Sequence, residues 1–296
     1  MKITIFTPTY NRCELLYNLY DSLLSQTSRD FEWLIVDDGS TDDTFSVINK
    51  FMEANILDIR YVKVQNGGKH RAINIASDLA KGEYIFIVDN DDTLIPEAIE
   101  IGLTHLNNID SNSEIAGVVF RLKYKNGSLV GDKLPFDNKI DNYFNIRYTL
   151  GYNVDFKEFT RVNVLRSYKY PEYLGENFCS EALVWNRISE KFDYLFVDKA
   201  IYICEYLDGG LSSSIISNRR NSSSYAMDIY SELFNNKRIP PCQKIKAGIN
   251  FWRFAVYNKM SFLNKLQMLN FKILGLLLYL PSLIVVSMDS YKLKKK

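Results

Sequence analysis

Residues 83–94 run EYIFIVDNDDTL. A short apolar stretch passes straight into Asp89, Asn90, Asp91 and Asp92. Carboxylates this close repel one another, and a soluble fold gains nothing by grouping them unless a cation joins them. Asp89 and Asp91 flank a single residue, so a tight turn lets both converge. Hard divalent ions such as Mg²⁺ or Mn²⁺ take oxygen ligands of this kind, with phosphate and water completing the shell. The plainer role is a helix cap ahead of TLIPEAIE, which suits Asp92. VDDGSTD at 36–42 offers a parallel choice. It is an Asx turn ahead of a helix, or a pair of acids that hydrogen-bond a base or ribose edge.

These clusters need elements to carry them. ITIFT (3–7), FEWLIV (31–36), IRYVKV (59–64) and YIFIVDN (84–90) are strand-like runs. Helical stretches separate them: CELLYNLYDSLLSQ, with Leu15, Leu16, Leu19, Leu23 and Leu24 at helical spacing, then TDDTFSVINKFMEA and HRAINIASDLA. Alternating strands and helices predict an α/β domain with a mainly parallel sheet covered by helices on both faces. In such sheets ligands bind beyond the carboxyl ends of the strands. PTYNR, DDGSTD, QNGGKH and DNDD follow the four strands in turn. Four polar strand ends at one crevice say more than any one of them.

Beyond residue 115 the pattern is thinner. IAGVVFRLKY and KFDYLFVDKAIYICEYL are expected strands, and SEALVWNRISEKF an expected helix. The Gly/Ser-rich stretch at 208–224 is expected to be a mobile loop. From Tyr225 onward the pattern is helical.

The 296 residues are 47% hydrophobic and 24% charged, an ordinary globular balance, with net charge +1. That sum hides an asymmetry. Residues 237–296 hold twelve basic residues and one acid, while the rest holds 24 basic and 34 acidic residues. The acidic body has no electrostatic footprint for nucleic acid, and the basic tail wants an anionic surface. Within it, FKILGLLLYLPSLIVVSM (271–288) approaches membrane-spanning length, but Pro281 interrupts it and serines dilute it. An interfacial helical region on an anionic inner leaflet is the favoured expectation, against a hairpin packed on the body or a full span. Cys13, Cys179, Cys204 and Cys242 lie far apart without metal-ligand spacing. With no signal-peptide pattern at the start, they are expected as reduced thiols of a cytoplasmic protein.

TPTYNR, then FEWLIVDDGSTDDT, then NGGKHRAINIASDLAKGEYIFIVDNDD resembles the family 2 glycosyltransferases, which have the GT-A fold. The resemblance covers about the first 100 residues in order and continues more weakly to residue 215. It implies a nucleotide-sugar donor, commonly a UDP-sugar, and Mn²⁺ or Mg²⁺. It implies that Pro8, Thr9, Tyr10 and Asn11 line the nucleotide pocket, and that Asp38 hydrogen-bonds the uracil. Lys69 and Arg71 would approach the base and diphosphate, and Asn74 matches an asparagine of that helix. Asp89, Asn90 and Asp91 match the acid–any–acid motif. Asp91 would be the direct metal ligand, with Asp89, the second candidate ligand, toward the ribose or sugar.

The family's inverting reaction also needs a base on the acceptor side. The resemblance points to an acid near the start of a later helix, four residues before a Trp or Leu. CSEALVW places Glu181 four residues before Trp185, although Ser180 replaces the first of the usual acid pair. Glu176 competes for the role. The loop YLDGGLSSS lacks the Arg and His that relatives often carry, so no metal ligand is expected from it. Arg219 or Arg220 would close over the diphosphate or simply be solvated, and His70 is expected as a pocket-wall or helix-start residue.

The chain therefore divides, as an expectation, into a GT-A domain at 1–224 and a basic, apolar helical tail at 225–296. Residues 1–100 would bind the nucleotide sugar and 101–224 the acceptor. The expected activity is inverting transfer from a UDP-sugar to a glycan acceptor, lipid-linked, in cell-surface polysaccharide synthesis at the inner face of the membrane. Two alternatives stand beside it. One is a transferase-like module that binds nucleotide or glycan without turnover. The other is a sugar-phosphate nucleotidyltransferase, which would want a Gly-rich loop after strand one, whereas TPTYNRCELL has no glycine.

Overall fold

A computed structural model describes residues 1–152, 154–205 and 214–294. The strands are β1 (Ile3–Thr9), β2 (Phe31–Asp37), β3 (Ile59–Lys63), β4 (Tyr84–Ile87), β5 (Thr93–Leu94), β6 (Ile115–Tyr124), β7 (Lys139–Asp141), β8 (Phe156–Arg161) and β9 (Asp193–Cys204). The helices are α1 (Leu16–Leu24), α2 (Thr44–Ala54), α3 (Lys69–Leu79), α4 (Ala98–Ile109), α5 (Val162–Ser167) and α6 (Ala182–Ile188). They continue as α7 (Ile215–Asn221), α8 (Ser223–Asn235), α9 (Pro241–Ala255), α10 (Phe262–Gln267), α11 (Lys272–Leu277) and α12 (Tyr279–Lys294).

The chain forms two compact units. The first holds the described residues of Met1–Arg147, Gly151–Tyr170 and Val184–Tyr206, and the second those of Tyr148–Leu150, Pro171–Leu183 and Leu207–Lys296.

The first unit is built on one sheet in the order β3-β2-β1-β4-β8-β6-β9-β5, with β7 also paired to β9. β3, β2, β1 and β4 are parallel, as their sequence alternation with helices predicts. Beyond them the sheet is mixed. β8 runs antiparallel to both β4 and β6, and β6 and β9 are parallel. So β8, which the sequence did not announce, enters the sheet between β4 and β6.

Strand side chains alternate between the two faces. Ile3 and Ile5 of β1, Trp33 and Ile35 of β2, and Tyr84 and Phe86 of β4 join one core cluster with Leu16, Leu19 and Leu23 of α1 and Ile99 and Leu106 of α4. The intervening Phe6, Leu34, Val36 and Ile85 are equally buried. On β1 and β2 the neighbour is α3, with α5 beside α3. Polar atoms inside the sheet are matched. Glu32 accepts from Thr4 Oγ1 (2.7 Å), Arg60 Nη1 (2.9 Å) and the Lys81 amide (2.7 Å). With the central strands buried on both faces, the polar groups that meet a ligand are left at the strand ends.

In the second unit, helices dominate. Of the expected loop at 208–224, residues 208–213 lie outside the described residues, and 215–221 form α7 rather than loop. Arg219 and Arg220 are tied down there. Arg219 Nη1 donates to Tyr230 Oη (2.7 Å), and Arg220 Nη2 donates to Ser290 Oγ (3.3 Å) and stacks 4.8 Å from the Tyr257 ring centroid.

Candidate active site

The loops after β1 and β2 are stapled together. Asn11 takes a left-handed backbone (φ 50°), its amide donates to Ser40 Oγ (2.9 Å), and its Oδ1 accepts from the Thr41 amide (2.7 Å). Asp37 accepts from the Ser40 amide (2.7 Å) and Tyr61 Oη (2.6 Å). Gly39 (φ +87°) sits so close to the loop after β3 that a Cβ would lie 2.9 Å from the Asn66 amide nitrogen. Only glycine fits this approach.

Asp38 is buried, and its carboxylate accepts from the Gly67 and Gly68 amides (2.7 and 2.8 Å) and Asn66 Nδ2 (3.2 Å). It thus fixes the loop that starts α3. Burial raises its carboxyl above the ordinary value, against the two amides that favour its ionised form. Arg71 Nη1 donates back to the Gly67 carbonyl (2.9 Å). Asn74 exchanges two hydrogen bonds of 2.9 Å with the Tyr170 backbone, a structural bridge to the chain after α5. Burial, with Arg71 beside it, lowers His70 to about 4, so its imidazole is neutral at pH 7.

After β4, each acid has a different partner. Asp89 lies between two lysines, Lys69 Nζ at 2.5 Å and Lys157 Nζ at 2.9 Å. Burial raises its carboxyl, but Lys157 and Lys69 outweigh burial and hold it well below the usual carboxylate range. Asn90 is buried and donates to Thr9 Oγ1 (3.1 Å), which locks the turn against β1. Asp91 pairs with Arg12 Nη1 (3.0 Å), whose side chain is 36% exposed.

Asp92 does not cap α4. It accepts from Tyr202 Oη (2.6 Å) and the Glu205 amide (3.2 Å), and Tyr202 Oη accepts from the Asp89 amide (3.0 Å). The third acid therefore ties the turn to β9. Burial pushes it up to about 6, opposed by Lys157 and reinforced by Asp89 and Asp91.

Pro8 and Thr9 end β1, and Tyr10 follows with an exposed ring. The structure thus brings Thr9, Asn11, Asp38, Lys69, Asp89, Asn90 and Asp91 to the ends of four adjacent parallel strands. Arg12, Lys157 and Tyr202 join them without having been singled out in the sequence. Arg12 lay inside the quoted TPTYNR. Lys157 and Tyr202 stand on β8 and β9, and nothing near them in sequence hints at the acids they meet.

Glu181 and Glu176 belong to the second unit. Glu181 is half-buried and immediately precedes α6, with Trp185 buried one turn on. Glu176 caps α8. Its two carboxylate oxygens each accept from the Ser224 amide (3.1 Å), and one also accepts from the Tyr225 amide (3.4 Å). An anion at a helix N-terminus is stabilising there, which accounts for this residue without chemistry.

Among the described residues no three metal-ligating side chains cluster. Two carboxylates still suit an ion that takes most of its oxygens from a diphosphate and water. Asp91, paired with the part-exposed Arg12, fits that role better than Asp89, which two lysines hold.

The model of glycosyl transferase family 2 matches residues 4–168. Among curated proteins, the chain is similar to the chondroitin synthase of Pasteurella multocida (strain Pm70), 43% identical over 101 residues, 34% of this chain and 10% of that protein. It is also similar to the UDP-Glc:alpha-D-GlcNAc-diphosphoundecaprenol beta-1,3-glucosyltransferase WfaP of Escherichia coli, 39% identical over 92 residues, 30% of this chain and 35% of that protein. The matches to the curated relatives span only about a tenth to a third of those proteins' lengths. Among solved structures, S. aureus TarS 1-349 in complex with UDP-GlcNAc superposes with a TM-score of 0.59 over 90% of this chain and 78% of that one, at 22% identity. At that identity the likeness concerns the fold.

Proposed function

The chain belongs to glycosyl transferase family 2, and on that premise we propose that it transfers one sugar from a UDP-sugar to a glycan acceptor, with inversion at the anomeric carbon. The observation that carries this is the charge arrangement at the strand ends. Asp89 and Asp91 are held by Lys69, Lys157 and Arg12. These cations are the groups an incoming diphosphate would recruit. The TarS complex with UDP-GlcNAc and the UDP-glucose donor in the WfaP name support a UDP-linked donor.

In this reading Pro8, Thr9, Tyr10, Asn11 and Asp38 shape the nucleotide pocket, Asp38 by holding the Asn66–Gly68 loop in place. Lys69, Lys157 and Arg12 face the diphosphate, and Arg71 steadies the start of α3. Asp91 would hold Mg²⁺ or Mn²⁺, with Asp89 kept anionic by its lysines on the sugar side. When bound, such an ion neutralises charge on the leaving diphosphate. Glu181 takes the proton of the acceptor hydroxyl as its oxygen bonds to the anomeric carbon. The carbon–phosphate oxygen bond breaks, and its electron pair leaves with UDP. Glu176 is assigned to capping.

The acceptor is a growing cell-surface polysaccharide on a lipid carrier, as the diphosphoundecaprenol in the WfaP name suggests. The enzyme works at the cytoplasmic face of the membrane, attached through its C-terminal helices. A second reading, binding without turnover, draws on the cations that already neutralise Asp89 and Asp91.

UDP release with Mn²⁺ across a panel of UDP-sugars separates the two, because slow donor hydrolysis needs no acceptor. The transferase reading predicts one preferred sugar and a loss of about 10³-fold in Asp91→Ala, several kcal/mol of transition-state stabilisation. Release that no sugar stimulates, from a chain that still binds UDP, would support the binding module instead.

A further inference from the structure

We propose that residues 272–292 lie in the plane of an anionic membrane surface, one side clamped on α9 and the other immersed at the edge of the hydrocarbon. The proposal deepens the membrane attachment named above and rests on that reading only for what the attachment serves.

The segment is inside out. Gly275, Leu278, Ser282 and Asp289 are its buried residues, spaced along one side of the helix. That side meets α9 closely. Trp252 Nε1 donates to the Gly275 carbonyl (2.7 Å), and a Cβ on Gly248 would lie 2.5 Å from Leu278. Arg253 grips Asp289 with Nε and Nη2 (2.6 and 2.7 Å). The opposite side carries Ile273 (80% exposed), Leu277, Leu280 (70%), Ile284 (66%), Met288 and Tyr291. A helix of a water-soluble domain buries its large apolar side chains and exposes its polar ones. Here Ser282 and Asp289 are inside and the large apolar side chains outside, an arrangement that suits an apolar medium on that side.

Charge selects the occupant. Lys272 and Lys292 bracket the stripe, Lys294, Lys295 and Lys296 follow in sequence, and the one acid of residues 237–296 is taken by Arg253. A second copy would bring like charge against like charge around the stripe. Anionic lipid headgroups complement it. Orientation follows from the clamp. Lys272–Lys292 is long and apolar enough to cross a bilayer. A crossing would carry Asp289 and Arg253 into hydrocarbon. Lying flat leaves that pair on the protein side and the stripe at one shallow depth.

Tryptophan placed at 273, 280, 284 or 288 reports that depth through quenching by brominated lipids, measured against the unsubstituted chain. The vesicles are phosphatidylethanolamine with or without phosphatidylglycerol. The expected result is similar quenching at all four positions by shallowly brominated lipid, dependent on phosphatidylglycerol, and an about tenfold loss of vesicle binding in Ile284→Asp. Deep quenching at 280 and 284 with shallow quenching at 273 and 288 would mean a span and overturn the proposal. Absent quenching overturns it too. If it comes with a sedimentation-detected dimer that Ile284→Asp dissociates, the stripe covers a second copy. UDP release in solution separates the two readings. Donor turnover without vesicle binding sinks the membrane face alone, and vesicle binding without turnover sinks the transferase alone. Circular dichroism melts check that Ile284→Asp is folded.

Discussion

The two units place their polar groups in opposite ways. At the strand ends of the first stand Asp37, Asp38, Asp89, Asp91 and Asp92, and each is answered by an amide, a tyrosine, a lysine or an arginine. In the second, Ser282 and Asp289 of 272–292 turn inward while Ile273, Leu277, Leu280, Ile284 and Met288 face outward. Under the proposed function, the nucleotide and metal replace partners of the first arrangement. Under the proposed membrane attachment, the outward side of the second meets lipid. The partners also differ in kind: the Arg12 side chain is 36% exposed, whereas the Gly67 and Gly68 amides belong to the backbone of the loop that Asp38 holds.

That comparison is sharpest at the acids. Glu181→Gln is expected to lower transfer to acceptor by about 10³-fold while UDP release by donor hydrolysis persists. Equal loss of both activities would move Glu181 from the acceptor to the donor side. Asp92 tests the fixed class. Its folded pKa of about 6 lies above the unfolded carboxylate value of roughly 4, so between these the folded chain holds a proton the unfolded chain has lost. Stability should therefore fall as pH rises through that window, by up to about 2–3 kcal/mol. Asp92→Asn should flatten the curve there, and denaturant melts across pH measure it. Asp89 has the opposite sign, its stabilisation being lost only as pH falls below the ordinary carboxylate range. The smallest effect belongs to Glu176→Gln, roughly 1 kcal/mol from a weakened cap on α8, with transfer retained. A transfer defect as large as that of Glu181→Gln would reverse the two assignments.

The parallel half of the fold and its strand-end acids were legible because their signals are local. Apolar strands, leucines at helical spacing and polar turns each declare themselves within about ten residues. Lys157 did not. It reaches Asp89 from a strand 68 residues later that enters the sheet antiparallel, a pairing no local pattern encodes. Asp92 misled for a related reason. An acid immediately before TLIPEAIE suits a cap, but long-range pairing to Tyr202 and Glu205 wins. The tail was legible as apolar and basic. Which side of the helix is buried depends on Gly248, Trp252 and Arg253 of α9, and composition is blind to that.

In the proposed reaction, donor and metal take over the charges now held by Arg12, Lys69 and Lys157. Calorimetry of UDP binding with and without Mn²⁺, in the unsubstituted chain and in Asp91→Ala, tests it most directly. Mn²⁺ is expected to tighten UDP binding in the unsubstituted chain and to have no effect on Asp91→Ala. UDP affinity indifferent to Mn²⁺ in both proteins would contradict it.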